Sequence, residues 1–585
     1  MTNVEIANLL RHIAAAYTIK DEKKFRFQII AYQNAADAIA NSTSEVKDLI
    51  KEGKLESLPG IGPSIRQHLE ELCKTGKVKH FDWVLKGIPK AIFPLLDVTT
   101  FGPKKAFKLV SAFDLKKPET VIEDIENLAK KGKISPLESF GEKSQEDIIQ
   151  AIEEFKLGKG KTIRMVLPFA LELAEKLVKY LHESKAVVKV SPLGSLRRMA
   201  PTVGDIDIAV ATKDPKAVID HFTSYPNKER IIEKGTMSAS VIISSGKQVD
   251  LMVQPVESFG SLLQHFTGSK NHNVRLREFA LSKGLSLSEY GIKKAGKLIK
   301  YDSEEKFYNA VGLDWIPPEI REDKGEIELA SKHKLPKLVE LKDMKGDLHI
   351  HSNYPIEPSH DLGQNTMEEM VKRAIELGYE YIGFSEHNPS ISKHTNEQIY
   401  ELLSKRKEAI EKLRIKHKNI KIISLMETDI LTNGKLALTD KCLDLLDGTL
   451  VSIHSSFSMD KKEMTKRAIE GLSNPKAKIL THPTGRLLNT RNGYELDFNA
   501  IFDFCKENNK ALEINAWPTR LDLPDNLVKE AVSQKVKLII NTDSHATSQM
   551  DQMRYGIAVA RRGWAEKDDI LNAQAYNILE DWLKK

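Results

Sequence analysis

From about residue 344 onward, short apolar segments alternate with helical patterns, and this alternation constrains the fold more than any other feature of the chain. The apolar segments have the length and composition of buried strands, whereas segments such as TMEEMVKRAIELG have helical periodicity. The strand candidates are DLHIH, YIGFS, KIISLME, LVSIH, AKILTH, ALEIN and KLIINT. These seven strand-then-helix units predict a parallel sheet, either closed into a TIM-like (β/α)7 barrel or left open.

Almost every one of these strands ends in a side chain that can bind a metal ion. The residues are, in chain order, His349, His351, His387, Glu427, His454, His482, Asp543 and His545. Because the carboxyl ends of barrel strands form one face, we expect these side chains to converge there. A lone histidine is more often structural, but equivalent positions in successive units favour a shared site. Imidazole and carboxylate donors without thiolate predict a cluster of two to three Mn²⁺, Zn²⁺ or Fe²⁺ ions.

Length and composition limit what else the chain can be. Its 585 residues exceed what one hydrophobic core supports, so we expect several domains. No apolar run approaches the roughly 20 residues of a bilayer crossing, and the N-terminal segment shows amphipathic periodicity rather than a signal peptide. The three cysteines include no CxxC pair, which suits a reducing compartment. We therefore expect a cytoplasmic protein that does not bind membranes.

The first 160 residues or so are rich in helix formers and show no clear strand pattern, which predicts a helical region. Within it, LPGIGPSI fits the turn of a helix-hairpin-helix, in which Gly60 and Gly62 let backbone N–H groups approach a DNA phosphate. A second candidate, VTTFGPKKA, offers Gly102 and Lys104, but Thr100 stands where the pattern has its first glycine. Each string is also compatible with a plain turn between helices.

From about residue 187, short β-branched segments predict a mixed α/β domain with carboxylates on two of its strands. GSLRRMAPTVGDIDIAV places Asp205 and Asp207 two residues apart on one strand, so both point to one face. Asp250, in QVDLMV, can add a third carboxylate from an adjacent strand. Clustered carboxylates repel one another unless cations neutralise them. The trio predicts a Mg²⁺ or Mn²⁺ site suited to in-line displacement at phosphorus.

A turn just upstream of this strand suits a triphosphate. Gly194 and Ser195 offer a small-residue turn with a hydroxyl group, and Arg198 offers a guanidinium group. The alternative interpretation is a solvent-facing Asp-x-Asp pair on an edge strand, which the neighbouring glycine, serine and arginine make less favoured.

Residues 1 to about 315 resemble family X DNA polymerases, in which GS…RR…GDID, the later Asp250 and HFTGSKNHNVRLR occur in this order. The resemblance implies that Asp205 and Asp207 bind both metal ions. It implies that Asp250 binds the catalytic ion and takes the proton of the primer 3′-hydroxyl, and that Arg277 lies near the template strand. The residues that it places at the incoming nucleotide are Gly194, Ser195, Arg198, Gly204, Phe266, Gly268 and Asn273.

This half departs from the family pattern at several positions. His265 stands where many relatives have tyrosine, and Val203 replaces a small polar residue, which leaves sugar discrimination and triphosphate affinity open. On the helix after the first hairpin, His68 occupies the position of the Schiff-base lysine with which some relatives excise 5′-deoxyribose phosphate, and Ser64 replaces a supporting lysine. Because imidazole cannot form the stable iminium of a primary amine, we expect little or no lyase activity.

Residues 344 to 585 resemble the PHP (polymerase and histidinol phosphatase) domain through DLHIHS, SEHN, METDIL, SIHS, LTHPTGR and NTDSH. The resemblance implies a metal-dependent phosphoesterase, chiefly a Mn²⁺-stimulated 3′-5′ exonuclease, with related 3′-end cleaning or abasic-site cleavage. One ligand is ambiguous, because the segment NYPIEPSHDLGQNT replaces the usual SDG and offers His360 or Asp361. We expect Asp361, since the family uses a carboxylate there.

The expected protein is therefore multidomain, with helical N-terminal DNA-binding domains, an α/β nucleotidyltransferase palm with a thumb, and a C-terminal barrel. The predicted boundaries are a helix-hairpin-helix domain at 1–85, a helical fingers-type domain at 86–160, the palm at 161–255, the thumb at 256–318, a charged, proline-containing linker at 319–343 and the PHP domain at 344–585.

The leading functional hypothesis is a bifunctional repair enzyme that fills short gaps and trims 3′ ends. Its expected partners are gapped or primed DNA and dNTPs, with other repair proteins unidentified. One alternative is a phosphoesterase of small metabolites with a degenerate polymerase half, against which the complete aspartate trio argues. The other is a non-catalytic DNA scaffold, which has no need for two sets of metal-binding residues.

Overall fold

The computed structural model describes residues 1, 3–40, 46–51, 53, 55, 61–98, 100–156 and 164–585, so the predicted Gly60 lies outside the described residues. The chain divides into two compact units. The first comprises Met1–Met165, Glu175–Tyr180 and Ile219–Leu251, and the second comprises Val166–Ala174, Leu181–Val218 and Met252–Lys585. Among the described helices, none combines the length and the apolar character that a membrane crossing requires.

The N-terminal region is helical, as predicted. Its elements are α1 (Asn3–Asp21), α2 (Arg26–Ala40), α3 (Val46–Lys51), α4 (Pro63–Thr75), α5 (Lys79–Leu85), α6 (Ile92–Leu95), α7 (Pro103–Ala112), α8 (Val121–Lys130) and α9 (Glu142–Glu154). The buried side chains form two cores, one from residues 6–84 and one from residues 91–152. Helix α4 starts with a proline in its first turn, where the missing N–H group costs nothing, and ends at Gly76 in the left-handed conformation.

A mixed α/β region follows. Its elements are β1 (Met165–Val166), α10 (Leu167–His182), β2 (Val187–Pro192), α11 (Gly194–Arg197), β3 (Thr202–Val203), β4 (Ile206–Thr212), α12 (Pro215–Thr223), β5 (Lys228–Lys234), β6 (Ser238–Ile243) and β7 (Gln248–Gln254). The five-stranded sheet has the order β2-β4-β7-β6-β5, and the boundary between the compact units passes through β7. The sequence predicted four of these strands and missed the charged edge strand β5.

The next region combines helices with a small antiparallel sheet in the order β10-β9-β8. Its elements are α13 (Phe259–Thr267), α14 (Lys270–Leu281), β8 (Leu285–Ser288), β9 (Gly291–Lys294), β10 (Lys297–Ile299), α15 (Glu304–Val311) and α16 (Glu326–Ser331).

The prediction that residues 319–343 are a linker is wrong, because α16 and much of this segment pack into the core of that region. Arg321 and Glu326 are completely buried. Arg321 donates to Glu304 at 2.6 Å, and His272 Nδ1 lies 2.7 Å from Glu326. These buried pairs allow charged side chains to lie inside the domain.

The C-terminal region contains the predicted barrel. Its elements are β11 (Gly346–Ile350), α17 (Met367–Glu376), β12 (Tyr381–Phe384), α18 (Asn396–Lys416), β13 (Lys421–Ser424), β14 (Glu427–Asp429), α19 (Asp440–Leu443), β15 (Thr449–Ser452), α20 (Lys461–Leu472), β16 (Ala477–Leu480), α21 (Phe498–Glu507), β17 (Ala511–Asn515), α22 (Asp525–Ser533), β18 (Lys537–Asn541), α23 (Met553–Arg562) and α24 (Tyr576–Lys584).

The barrel strands pair in parallel in the orders β11-β12-β13 and β14-β15-β16-β17-β18. A parallel bridge between His387 and Glu427 joins the two sheets, and one between Ile350 and Ser544 joins the segment after β18 to β11. The single predicted strand KIISLME forms the two strands β13 and β14. The ring of strands therefore closes, and the segments that follow its strands meet at one face.

Candidate metal and nucleic-acid sites

The histidines at the carboxyl end of the barrel converge as predicted. His349 and His351 are two residues apart at the end of β11, so both point to the same side of the strand, and both are completely buried. His387 and His482 follow β12 and β16, and are also buried. The local strand geometry thus delivers imidazoles from distant parts of the chain to one place.

Two carboxylates lie among these imidazoles. Oxygens of the Glu427 carboxylate lie 3.2 Å from Nε2 of His349, 2.9 Å from Nδ1 of His387, 3.3 Å from Nε2 of His454 and 2.9 Å from Nε2 of His482. Asp543 Oδ1 lies 3.1 Å from Nε2 of His351. The arrangement gives an oxygen-and-nitrogen donor set with Glu427 at its centre.

The donor atoms form several overlapping groups, each with its atoms within 4.8 Å of one another. These groups are His349 with His351, Glu427 and Asp543; His351 with His387 and His545; His387 with Glu427 and His454; and His360 with Asp429 and His454. In the part of the chain that the structure describes, buried atoms such as His351 Nδ1, His482 Nδ1 and His545 Nε2 have no hydrogen-bond partner. Buried polar atoms normally have one, so the residues fit a cluster of metal ions.

Electrostatics divides these donors into two kinds. Although burial opposes it, neighbouring carboxylates raise the pKa of His349 well above its usual value and that of His454 to about 9, so a metal ion must displace a proton from these two rings. Burial alone disfavours the charged form of Glu427, but the imidazoles of His387 and His349 outweigh it and hold its pKa well below the usual range. Burial lowers the pKa of His482 to about 4, which keeps this ring neutral and a lone pair available. The carboxylate is therefore ionised and this imidazole neutral at physiological pH, as metal ligands must be.

The structure brings His360, and not the expected Asp361, to the donor groups, so the identity of this ligand stays a prediction. Asp361 is exposed and lies outside the donor groups, whereas His360 Nε2 lies 3.2 Å from Asp429 Oδ1. Asp429 itself, whose Oδ1 also lies 2.7 Å from Nδ1 of His454, was not predicted. Its position two residues after Glu427 on β14 is the signal that could have revealed it.

Glu513 is a second residue that the sequence analysis missed. Buried in β17, it accepts from His349 Nδ1 at 2.7 Å and from the backbone N–H of His482 at 2.8 Å. Such a carboxylate fixes the ring orientation and raises the basicity of the ligand histidine. An acidic residue inside the apolar strand ALEIN was the available signal.

The three aspartates of the mixed sheet also form a group. Asp205 directly precedes β4, Asp207 lies within it and Asp250 lies within β7. Each offers a carboxylate oxygen, and these oxygens lie within 4.8 Å of one another. Gln248 Nε2 donates to Asp250 at 3.0 Å, and Ser240 also donates to it. The trio fits divalent cations, since like charges at this separation repel.

The turn at Gly194 lies directly against this carboxylate group. Gly194 has a φ of +58°, and a Cβ atom there would lie 2.8 Å from Asp207 Oδ2, so only glycine allows the approach. Ser195 follows it in α11, and Gly204 lies in the exposed turn between β3 and β4. Gly194 therefore lies against Asp207, and Gly204 directly precedes Asp205 in the chain.

Arg198 is held by protein groups. Its Nη1 donates to the carbonyl oxygen of Thr267 at 2.6 Å and its Nε to Glu322 at 3.1 Å. Arg562 of α23 also donates, to the same Glu322 oxygen at 3.1 Å and to the carbonyl oxygen of Arg198 at 2.8 Å. Gly268 lies beside the guanidinium, where a Cβ atom would approach Nη1 to 3.2 Å. The barrel thus contacts the predicted triphosphate-binding arginine through a shared carboxylate.

The other predicted nucleotide and template residues lie on α13 and α14. The amide of Asn273 accepts from Gln264 at 2.8 Å and donates to the carbonyl oxygen of His265 at 2.7 Å. Phe266 is partly buried beside the His265 ring, and Arg277 is exposed on α14. Their roles stay predictions.

The two hairpin turns present free helix N-termini. Gly62 precedes α4 and Gly102 precedes α7, neither helix has a side-chain cap, and a Cβ atom at either glycine would contact nothing within 4 Å. Unpaired N–H groups at a helix start attract anions such as phosphate. Lys104, in α7, pairs with Glu22 at 2.7 Å between exposed side chains, a weak interaction that DNA can displace.

Three family descriptions match parts of the chain: helix-hairpin-helix domain at 1–78, DNA polymerase beta thumb at 262–322 and PHP domain at 347–516. DNA polymerase/3′-5′ exonuclease PolX of Bacillus subtilis (strain 168) is 35% identical over 100% of both chains. DNA polymerase lambda of Arabidopsis thaliana is 24% identical over 46% of this chain and 53% of its own. A probable phosphatase of Clostridium acetobutylicum is 29% identical over 34% of this chain and 78% of its own.

The fold and the two donor groups define a class of protein in which a polymerase of the β type is joined to a PHP domain. The full-length match then gives the family: the chain belongs to the family X DNA polymerases that carry a C-terminal PHP domain, known as PolX. The family and the multidomain fold predicted from the sequence are confirmed, and both halves depend on divalent metal ions.

Proposed function

We propose that this protein is a DNA-directed DNA polymerase that fills short gaps during DNA repair and processes 3′ ends as a 3′-5′ exonuclease in its barrel. The observation that carries the proposal is the presence of two different donor groups in one chain, an aspartate trio and an imidazole-rich cluster. The substrates are gapped or primed DNA and dNTPs, the compartment is the cytoplasm, and any further repair partners are unidentified.

In the polymerase half, Asp205, Asp207 and Asp250 would hold Mg²⁺ or Mn²⁺, which would stabilise the charge that develops on the transferred phosphoryl group. Asp250, oriented by Gln248 and Ser240, takes the proton of the primer 3′-hydroxyl. Arg198 exchanges Glu322 for a phosphate oxygen of the dNTP, while the Gly194 turn holds the phosphates close to Asp207.

In the barrel, the histidines with Glu427, Asp429 and Asp543 would hold two to three Mn²⁺, Zn²⁺ or Fe²⁺ ions, which would supply a nucleophile at neutral pH and polarise the phosphodiester. Glu513 keeps the His349 ring oriented. The same donors suit removal of blocked 3′ ends and abasic-site cleavage, since both reactions break a phosphate ester.

The test is a combined primer-extension and 3′-degradation assay on gapped DNA with Mg²⁺ or Mn²⁺. We expect dNTP incorporation and 3′ degradation by the same preparation. Degradation without incorporation would instead support a phosphoesterase with a degenerate polymerase half, and DNA binding without either reaction would support a scaffold.

A further inference from the structure

The amino end of the barrel, opposite the histidine cluster, contains a basic cleft of about 860 Å³. It lies between the end of α18, the starts of β13 and β16, and α24. Seven lysine and arginine side chains line it, against the two carboxylates of Asp447 and Glu580. Both carboxylates are already paired, Asp447 with Arg414 at 2.5 Å and Glu580 with Lys584 at 3.2 Å. The cleft therefore has an excess of positive charge.

Lys478 is the most unusual of these cations. It lies in β16, exposes 6% of its surface, and has no hydrogen-bond or ion-pair partner for its ammonium group in the described part of the chain. Its stem packs against Gly448, where a Cβ atom would lie 3.1 Å from Lys478 Cγ. The stem is buried, but the ammonium group is not among the buried atoms that lack a hydrogen-bond partner, so it reaches the open space of the cleft and can pair with an anion there.

The surroundings of Lys478 are also cationic. Burial and then the neighbouring Lys476 lower the pKa of Lys478, and burial and then Lys478 lower the pKa of Lys510 to about 8. His417 also lines the cleft, and its Nε2 is buried without a hydrogen-bond partner among the described residues. The cleft thus combines the unpaired ammonium group of Lys478 with a buried imidazole nitrogen that lacks a hydrogen-bond partner among the described residues.

We propose that this cleft binds a linear phosphate chain, either the triphosphate of a nucleotide or inorganic polyphosphate. Lysine ammonium groups bind phosphate as point charges, and His417 Nε2 adds a hydrogen bond. The volume lies within the range of about 300–1,000 Å³ that small-ligand sites occupy. The ring of Tyr576 and the apolar Ile422 and Leu583 provide a surface for a nucleoside.

The test is isothermal titration of the full chain with inorganic tripolyphosphate and with dATP, in EDTA so that divalent ions support no binding at the polymerase site. Lys478→Met keeps the aliphatic stem and removes the charge, and Lys462→Met removes an exposed lysine of α20 as a matched control. We expect Lys478→Met to weaken tripolyphosphate binding at least tenfold and Lys462→Met to leave it unchanged. Equal affinities of the wild type and Lys478→Met, or no binding by the wild type, would overturn the proposal.

Further measurements separate the sources of the phosphate and guard against misfolding. Tighter binding of dATP than of tripolyphosphate assigns the site to nucleotides, and equal affinities assign it to the phosphate chain alone. Without anions, Lys478→Met should unfold at about the same temperature as the wild type, because methionine keeps the buried stem. An effect of Lys478→Met on oligonucleotide binding but not on tripolyphosphate binding would refute a small-ligand site.

Discussion

The aspartate trio and the barrel cluster are both metal-binding groups of one chain, but they are built differently. The barrel donors around Glu427, namely His349, His351, His387 and His482, are buried and lie at the ends of strands in a closed ring. Asp205, in contrast, is exposed, and Asp207 and Asp250 are partly exposed. A buried, rigid donor set holds its ions before substrate arrives, whereas an open one gains ions together with the phosphates that help to bind them.

The largest effects should come from removing donors of one group at a time. We expect His349→Ala with His351→Ala to reduce 3′ degradation to background and to leave dNTP incorporation in place, because both side chains belong to the barrel cluster. Asp205→Ala with Asp207→Ala should abolish dNTP incorporation and leave 3′ degradation in place. Gel assays of both reactions on each double variant check this, with circular dichroism as the folding control; loss of both activities in a folded variant would contradict independent sites.

Metal content should distinguish the two groups next. After extensive dialysis without chelator, we expect the purified protein to retain ions in the barrel and none at the trio. Elemental analysis by mass spectrometry should therefore give equal metal content for the wild type and for Asp205→Ala with Asp207→Ala, and a large loss for His349→Ala with His351→Ala. Equal retention in all three proteins would show that the contrast in burial has no consequence for affinity.

Glu513→Gln should have an intermediate effect. The amide cannot supply the negative charge that holds His349 Nδ1–H, so we expect exonuclease activity or metal affinity to fall about 10- to 100-fold. Titration of the chelated protein with Mn²⁺, followed by the exonuclease rate, measures both. Glu507→Gln, at the end of α21 and away from the cluster, serves as the control. An unchanged Mn²⁺ affinity of Glu513→Gln would show that Glu513 does not position His349.

Arg562→Gln should have a smaller effect, in the other half of the protein. In the wild type, Arg562 and Arg198 both donate to Glu322. Without Arg562, Glu322 binds Arg198 more strongly and so competes better with the dNTP phosphates for the Arg198 guanidinium group. We expect the KM for dNTP to rise about fivefold, equivalent to roughly 1 kcal/mol, with little change in kcat or exonuclease rate. Arg561→Gln, which loses a contact to Glu319 instead, is the matched control. An equal rise in both variants would indicate a loosened domain contact rather than an effect through Glu322.

The smallest effect concerns the lyase reaction, the excision of 5′-deoxyribose phosphate, for which we expect no detectable activity. His68 is hydrogen-bonded to Tyr32 through Nδ1 at 2.8 Å and stacks on His80, and burial lowers its pKa. This imidazole pair offers no primary amine for a Schiff base. Borohydride trapping on a 5′-deoxyribose phosphate substrate should give no adduct above background, and an efficient adduct mapped within residues 1–85 would disprove the expectation.

Patterns that repeat along the chain were predictable, and those that depend on distant pairing were not. Strand ends carrying His349, His454 or Asp543 follow the period of the barrel, so their convergence could be expected. Residues 319–343 look like a linker because their charges are visible in the sequence, while the buried partners of Arg321 and Glu326 are not. Strand β5 was missed because its exposed charged residues hide the alternation of an edge strand.

The choice between His360 and Asp361 shows the same limit at the scale of one ligand. Both residues lie in a segment without helix or strand, where the sequence does not determine which side chain turns inward. In the structure, His360 lies next to Asp429, a residue about seventy positions later in the chain, and this contact brings His360 to the metal-binding donors. The residue type that the family uses favoured the carboxylate of Asp361, whereas the path of the backbone places the imidazole of His360 next to Asp429.

The closure of the barrel through Ile350 and Ser544 has a consequence for protein synthesis. Domains made first generally fold first, at about 5–20 residues added per second. The donors of β11 therefore wait roughly 10 to 40 s, the time to add the intervening stretch of about 200 residues, before Asp543 leaves the ribosome. Arg562, which contacts Glu322, emerges later still. A chain that terminates before Asp543 therefore lacks one donor of the barrel cluster.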